Sequence, residues 1–400
     1  MSANKSTVSV ERINCAYARE LDRPNRVRCE RGLFAGSPHV EMCKLCLERT
    51  PLAGAATMRQ PDSDSATEAS TRPALMQADD NPTAFPPNRK EKLLLRMGLS
   101  PGDVVMLTAA VRDLNLAFAQ RFEVAVDTPA TELWDHNPYV CQDPSGARII
   151  RMNYPLINES NQRPYHFIHG YVQNLEQQLG LSIPITAFKG DIHLGHNERT
   201  WMNQVEETFG YHGPFWLIVG GGKYDFTAKW WPPAFYQDVV DHFLGKLQFV
   251  QIGEAGHWHP PLKGVFNLVG KTTVRQLVRL VYHASGIICP VTFAMHLAAA
   301  VPSRDERLRP CVVIAGGREP PHWEAYPGHQ FLHTVGCLPC CASGGCWRSR
   351  CQAVGDGNLK DKKDRCERPI AINDDLHIPQ CMVMITPQDV VRAVERYLVK

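Results

Sequence analysis

Apolar and polar positions along the chain fall into blocks whose period changes from helix-like to strand-like and back, and that change is the first guide to the fold. The clearest block is GKTTVRQLVRLVYHASGIICPVTFAMHLAAAVP, Gly270 to Pro302. It predicts an amphipathic helix, a buried strand, a tight polar turn and a second helix, the β-turn-α layout that places a ligand at the carboxyl end of a parallel strand. Upstream, order begins at Glu91. The segment GDVVMLTAAVRDLNLAFAQRFEVAVDTPATELWDHNPYV predicts a polar turn, a helix, the strand FEVAVDT and a short helix at ATELWDH. RIIRMNY reads as a second strand, and PYHFIHGYVQNLEQQLG as a helix that ends on Gly180. After a break near TFGYHGP a new series opens with the strand FWLIVGGG, the helix PAFYQDVVDHFLGKL and the strands QFVQIG and GVFNLVG. RPCVVIAGG adds one more buried strand beyond Pro302. The final helix begins at TPQD, where Thr386 can cap, Pro387 fits the first turn and Asp389 takes the third position.

Such alternation predicts an α/β protein with parallel sheets covered by helices. Two Rossmann-like domains are expected side by side, residues 91–210 and 211–336. Around them stand a cysteine-rich segment (1–50), a linker rich in Ala, Ser, Thr, Asp and Pro (51–90), a second cysteine-rich segment (337–384) and the C-terminal helix (385–400). The formal charge of +2 gives no basic field, so nucleic acid is not expected as a partner. There is no run of about 18 apolar residues and no apolar core near the N-terminus, so no transmembrane segment is expected and the chain reads as cytoplasmic.

Three segments together resemble glycosyltransferase family 9, the ADP-heptose heptosyltransferase family. They are Gly102-Asp103-Val104 with the later ELWDHNPYV, TAKWWPP (Thr227–Pro233), and the stretch Thr292–Pro302 containing MHLAAAVP. The resemblance covers roughly residues 95–335. It implies the GT-B fold, two Rossmann-like domains facing a cleft, and inverting sugar transfer from a nucleotide-diphosphate donor to a hydroxyl of a glycan or protein, with lipopolysaccharide biosynthesis as the setting typical of the family. Carried over position by position, Asp103 matches the catalytic base, and Lys229 the lysine that contacts the donor phosphates. Thr292, Phe293, Ala294, Met295 and His296 fall at the diphosphate-binding helix start, and Gly253 and Glu254 where the nucleoside sits. Gly102 precedes the base, and Gly221, Gly222 and Lys223 form a strand-end cluster that can approach the donor. One position departs from the family: Val291-Thr292-Phe293 stands where an Asp-Ser-Gly or Asp-Thr-Gly is usual. Bland readings stand beside these, with Asp103 as a helix cap, His296 as a core histidine and Glu254 as a turn cap.

Fourteen cysteines in a cytosolic chain point to metal ligation more than to disulfides. Cys43-Lys44-Leu45-Cys46 is a C-x2-C knuckle that Cys15, Cys29 and His39 can complete. Cys340, Cys341, Cys346, Cys351, Cys366 and Cys381, close to Cys337, lie in a segment too polar to form a core unaided, so a structural zinc or iron is expected there. Cys141, Cys289 and Cys311 read as packing residues. Two other functions remain open on the sequence: a sugar-nucleotide epimerase of the same fold, and a non-catalytic sugar-nucleotide-binding protein whose cysteine modules bind a partner.

Overall fold

The computed structural model describes residues 90–305 and 307–398, together with two short strands nearer the N-terminus, Ala18–Glu20 (β1) and Val27–Cys29 (β2), which pair antiparallel. Of the N-terminal metal candidates, Cys15, Cys43, Cys46 and His39 lie outside the described residues, as does the side chain of Cys29. The chain divides into two units, Met1–Ala84 and Phe85–Lys400.

The second unit holds two parallel sheets. The smaller has the order β4-β3-β5, made of Glu91–Arg96 (β3), Phe122–Asp127 (β4) and Arg148–Arg151 (β5). The larger has the order β11-β10-β9-β6-β7-β8, from Phe215–Ile218 (β6), Gln248–Gln251 (β7), Phe266–Asn267 (β8), Gly286–Pro290 (β9), Cys311–Gly316 (β10) and His329–His333 (β11). Every pairing in both sheets is parallel. Every residue of the central strands β6, β9 and β10 is buried, as their unbroken apolar runs require of strands covered on both faces. Two strands of these sheets escaped the sequence reading. EKLLLR forms the central strand of the small sheet, and HQFLH, only half-buried at the sheet edge, carries too little apolar pattern to register.

The covering helices are Pro101–Phe118 (α1), Phe167–Leu179 (α2), Pro233–His242 (α3), Val274–His283 (α4), Phe293–Ala300 (α5), the four-residue Pro321–Glu324 (α6) and Pro387–Leu398 (α7). Helix α2 stops because Gly180 takes the left-handed conformation, φ 64°, and turns the chain away. Helix α3 ends at His242, short of the LGKL that its pattern suggested. Helices α1 and α5, one from each sheet, pack on each other, and a single apolar core runs through both sheets from Leu93 to Tyr326. A second core, including Trp230, Trp231, Phe249 and Ile378, lies on the other face of the large sheet. There the segment after β11 folds back, closed by the antiparallel pair Pro369–Ala371 (β12) and His377–Pro379 (β13). No described helix is long and apolar enough to cross a membrane.

Candidate active site

In the large sheet the chain runs outward from β6 to β7 and β8, then returns to the other side of β6 for β9, so β6 and β9 flank a topological switch point. Loops leaving the carboxyl ends of two such strands diverge, and the gap between them is where doubly wound proteins hold ligands. A cavity of about 520 Å3 opens there. Val219, Gly221, Gly222 and Lys223 line it from the end of β6, Ile252 to Ala255 from β7, and Pro290 to Ala294 from β9. Ser100, Pro101 and Gly102, the start of α1, close it from the small-sheet side.

Ten of the thirteen residues singled out in these domains therefore share one cavity: Gly102, Gly221, Gly222, Lys223, Lys229, Gly253, Glu254, Thr292, Phe293 and Ala294. Helix α5 begins at its wall with no side-chain cap, and the buried Thr292 Oγ1 has no hydrogen-bond partner. Unpaired amides of a helix start together with an unpaired hydroxyl favour an anion. Lys229 supplies the cation. Its Nζ donates to the Val291 carbonyl at 3.2 Å and pairs with Glu319 Oε1 at 2.7 Å. Glu319 is held ionised despite burial, because Arg318 and Lys229 both face it.

The glycine cluster, besides lining the cavity, shapes the loop beside it. Gly222 exchanges both backbone hydrogen bonds with Trp258, N to O 2.9 Å and O to N 3.0 Å, so its amide is already committed. A Cβ on Gly221 would stand 1.9 Å from the Trp258 carbonyl oxygen, and only glycine lets that loop approach. The loop brings His257 and His259 to the cavity wall, and α4 adds Thr272, Thr273, Val274 and Leu277. The sequence reading passed over all six. HWHPP after a strand end was the visible signal for the histidines, whereas Thr273, the N-cap of α4, reads from sequence only as a cap. Burial pushes His259 down to about 4, so it is a neutral ring there at physiological pH.

Three residues stand behind the wall. Asp103 follows Gly102 in the first turn of α1, where Ser100 N and Oγ donate to its Oδ2 at 3.1 and 2.5 Å and the Tyr154 hydroxyl donates to Oδ1 at 2.7 Å. It is a cap as well as a carboxylate beside the cleft. Met295 and His296 correct the expectation of ligand contact. The Met295 amide already donates to the Thr292 carbonyl at 3.0 Å, and neither side chain lines the cavity. His296 instead packs against Gly102, where an added Cβ would meet its Cδ2 at 3.0 Å.

His296 belongs to a buried polar chain. The Tyr326 hydroxyl donates to Met106 Sδ at 2.9 Å, and its oxygen is 2.6 Å from His296 Nδ1. With the hydroxyl proton spent on sulfur, which only accepts, Nδ1 must be the donor, and Nε2 presents a lone pair to Glu324 Oε2 at 3.7 Å. Burial first, then the charge of Lys229, lowers His296 to about 3. Burial first, then Glu319 and Asp103, raises Glu324 to about 8. A protonated Glu324 facing a neutral imidazole is the state consistent with both shifts.

The C-terminal cysteines gather beside this site. Cys340, Cys341, Cys346, Cys366 and Cys381 line a second cavity of about 10 Å3, roughly the space of one water-sized body. Cys351, although fully buried, is outside it and hydrogen-bonds to Cys366, which lowers Cys366 to about 7. Among the described residues no three His, Cys, Asp or Glu side chains are already grouped as ligands of one metal.

No family model and no curated protein matches this chain. Solved structures do. A glycosyltransferase family 9 protein from Veillonella parvula DSM 2008 superposes with a TM-score of 0.54 at 13% identity, covering 78% of this chain and 98% of its own. The iron-containing dodecameric glycosyltransferase TibC from enterotoxigenic E. coli H10407 gives 0.51 at 15% identity, covering 77% and 76%. The chain thus shares the fold of the family that its motifs resemble.

Proposed function

We propose that the chain is an inverting glycosyltransferase of family 9 type, moving a sugar from a nucleotide-diphosphate donor to a hydroxyl of a glycan or protein. The observation that carries the reading is the cavity at the β6/β9 switch point, which an uncapped helix start and the lysines Lys223 and Lys229 line. A diphosphate needs those features, and they gain importance as negative charge grows on the departing group. Asp103, just behind Gly102 on the opposite wall, is the base that takes the acceptor proton. Val291-Thr292-Phe293, in place of the usual acid and glycine, changes the wall beside the donor. The donor sugar is a heptose in the family resembled. Incubating the protein with radiolabelled ADP-heptose and with UDP- and GDP-hexoses, and following both nucleoside diphosphate release and label transfer to candidate glycans and proteins, tests the reading. Binding without turnover of any donor would favour the non-catalytic alternative.

The small thiol cavity is read as a site for zinc or iron. Of the five cysteines that line it, Cys341 directs its thiol to the Thr334 carbonyl at 3.5 Å. Cys340, Cys346, Cys366 and Cys381 remain, and four thiolates are the usual donor set of a closed structural site for either metal. Such a metal would hold together a segment with few apolar side chains and takes no part in the transfer. Elemental analysis of the purified chain is expected to give a tightly bound metal that Cys366→Ser loses and Cys341→Ser keeps. Equal metal content in the two variants would remove the assignment.

A further inference from the structure

Lys229, the cation beside the α5 start, ends a 3-10 turn, Tyr224–Lys229, which has one non-helical residue inside it and cannot hold its own shape by regular hydrogen bonding. Its shape comes from elsewhere. Three of its residues are fastened to one short stretch of the cysteine-rich segment, Ser349 to Cys351. Asp225 Oδ1 accepts from Arg350 Nη2 at 3.1 Å. Thr227 Oγ1, fully buried, accepts from the Cys351 amide at 2.8 Å. The Ala228 amide donates to the Ser349 carbonyl at 3.0 Å.

Arg350 is the centre of this joint. It is 0% exposed, and its two terminal nitrogens reach Asp225, Asp356 and Asp361 at 2.5–3.1 Å. A buried guanidinium with three carboxylates is a costly arrangement whose advantage is geometric definition, because the planar fork accepts few alternatives. What it defines is the turn at Asp225, three residues before Ala228, which faces the thiol cavity, and four before Lys229, which faces the large one.

We propose that Arg350 and Thr227 are positioning residues for Lys229, so that the cysteine-rich segment is a working part of the diphosphate site and not an appended module. The inference rests on the donor reading above. It explains why a segment with its own small cavity is folded against the end of β6 and β10 instead of being free to engage a partner.

The test is calorimetric titration of the full chain with ADP, UDP and GDP, each beside its nucleoside, for the wild type, Arg350→Met, Lys229→Ala and the double variant. Lys229 meets the diphosphate and not the base. Arg350→Met is therefore expected to weaken the bound diphosphate about tenfold while the nucleoside changes less than about twofold, and to add nothing once Lys229 is gone. Unfolding would weaken both ligands together. In that case Thr227→Val, which removes the hydroxyl that accepts from the Cys351 and Gln352 amides, takes its place with an expected loss of about threefold in diphosphate affinity alone. If the wild type binds no diphosphate, the donor reading falls and this inference with it. If it binds one and the variants bind it equally, or if the losses of Arg350→Met and Lys229→Ala are additive, the inference alone is overturned.

Discussion

The cavity wall and the cluster behind it are separated by one step of the chain, Gly102 to Asp103, and they are built on opposite plans. The wall is sparser: glycines, backbone, a helix start, Lys223 and Lys229, Glu254 and two histidines, with an unpaired hydroxyl left over. The cluster is dense. Asp103, Tyr154, His296, Tyr326, Glu319, Glu324 and Arg318 are half-buried or buried, and most are tied to one another by hydrogen bonds or ion pairs, with Glu319 Oε2 and Glu324 Oε2 left without a hydrogen-bond partner. A ligand site gains from donors left open, since each becomes a contact when the ligand arrives. A catalytic group gains from being fixed before the substrate comes. The difference assigns binding to the wall and proton handling to the cluster.

The sharpest way to break that division is a pair of substitutions, one on each side. Asp103→Ala is expected to cut transfer by about 10²–10⁴-fold while donor affinity stays within about twofold, because a base acts on the acceptor. Lys229→Ala should do the reverse, weakening nucleoside diphosphate binding by about 10–100-fold, the usual worth of a charge-assisted contact. Donor titration and turnover measured on the same preparations decide it. If Asp103→Ala lost donor affinity and kept its turnover, the two regions would have exchanged roles.

The wall was far more legible in the sequence than the cluster, for a physical reason. Backbone-lined sites at strand ends leave a local signature: an apolar run, then glycine or a small polar turn, then a helix. GGGK after FWLIV and PVTFAMH after GII both carry it. The purpose of the glycines was not legible, since the partner that needs Gly221, the Trp258 carbonyl, lies 37 residues away in the chain. Nor could the sequence show the cluster. Tyr154 follows β5 in a half-exposed loop on the side of Asp103, whereas Glu319, Glu324 and Tyr326 come from the large-sheet side, which packs there through α1 and α5. The cysteine segment was legible as something needing support, but its attachment through Arg350 to the turn of Lys229 depends on contacts over 120 residues apart in the chain.

The last test reads the cluster through stability and not through turnover. Burial first of all pushes the Glu324 carboxyl up to about 8 in the folded protein, from its ordinary 4.5. Between those two values the folded state holds a proton that the unfolded state has released. Stability therefore falls as pH rises through this window, and the fall ends once the folded carboxyl has also ionised. Glutamine keeps the neutral shape at every pH. The melting temperature of Glu324→Gln minus that of wild type should thus climb from about pH 5 to about pH 8 and then level off, with the accumulated gain on the order of 4 kcal/mol, or roughly ten degrees. His296, lowered to about 3, changes stability only as pH falls below its ordinary value near 6.5, and it is present in both proteins, so it largely cancels from the difference. A difference that stayed flat across the window would mean that Glu324 is an ordinary ionised carboxylate. The Met106–Tyr326–His296 chain would then meet a charge where it should meet an acid, and the assignment of protons along it would have to be reversed.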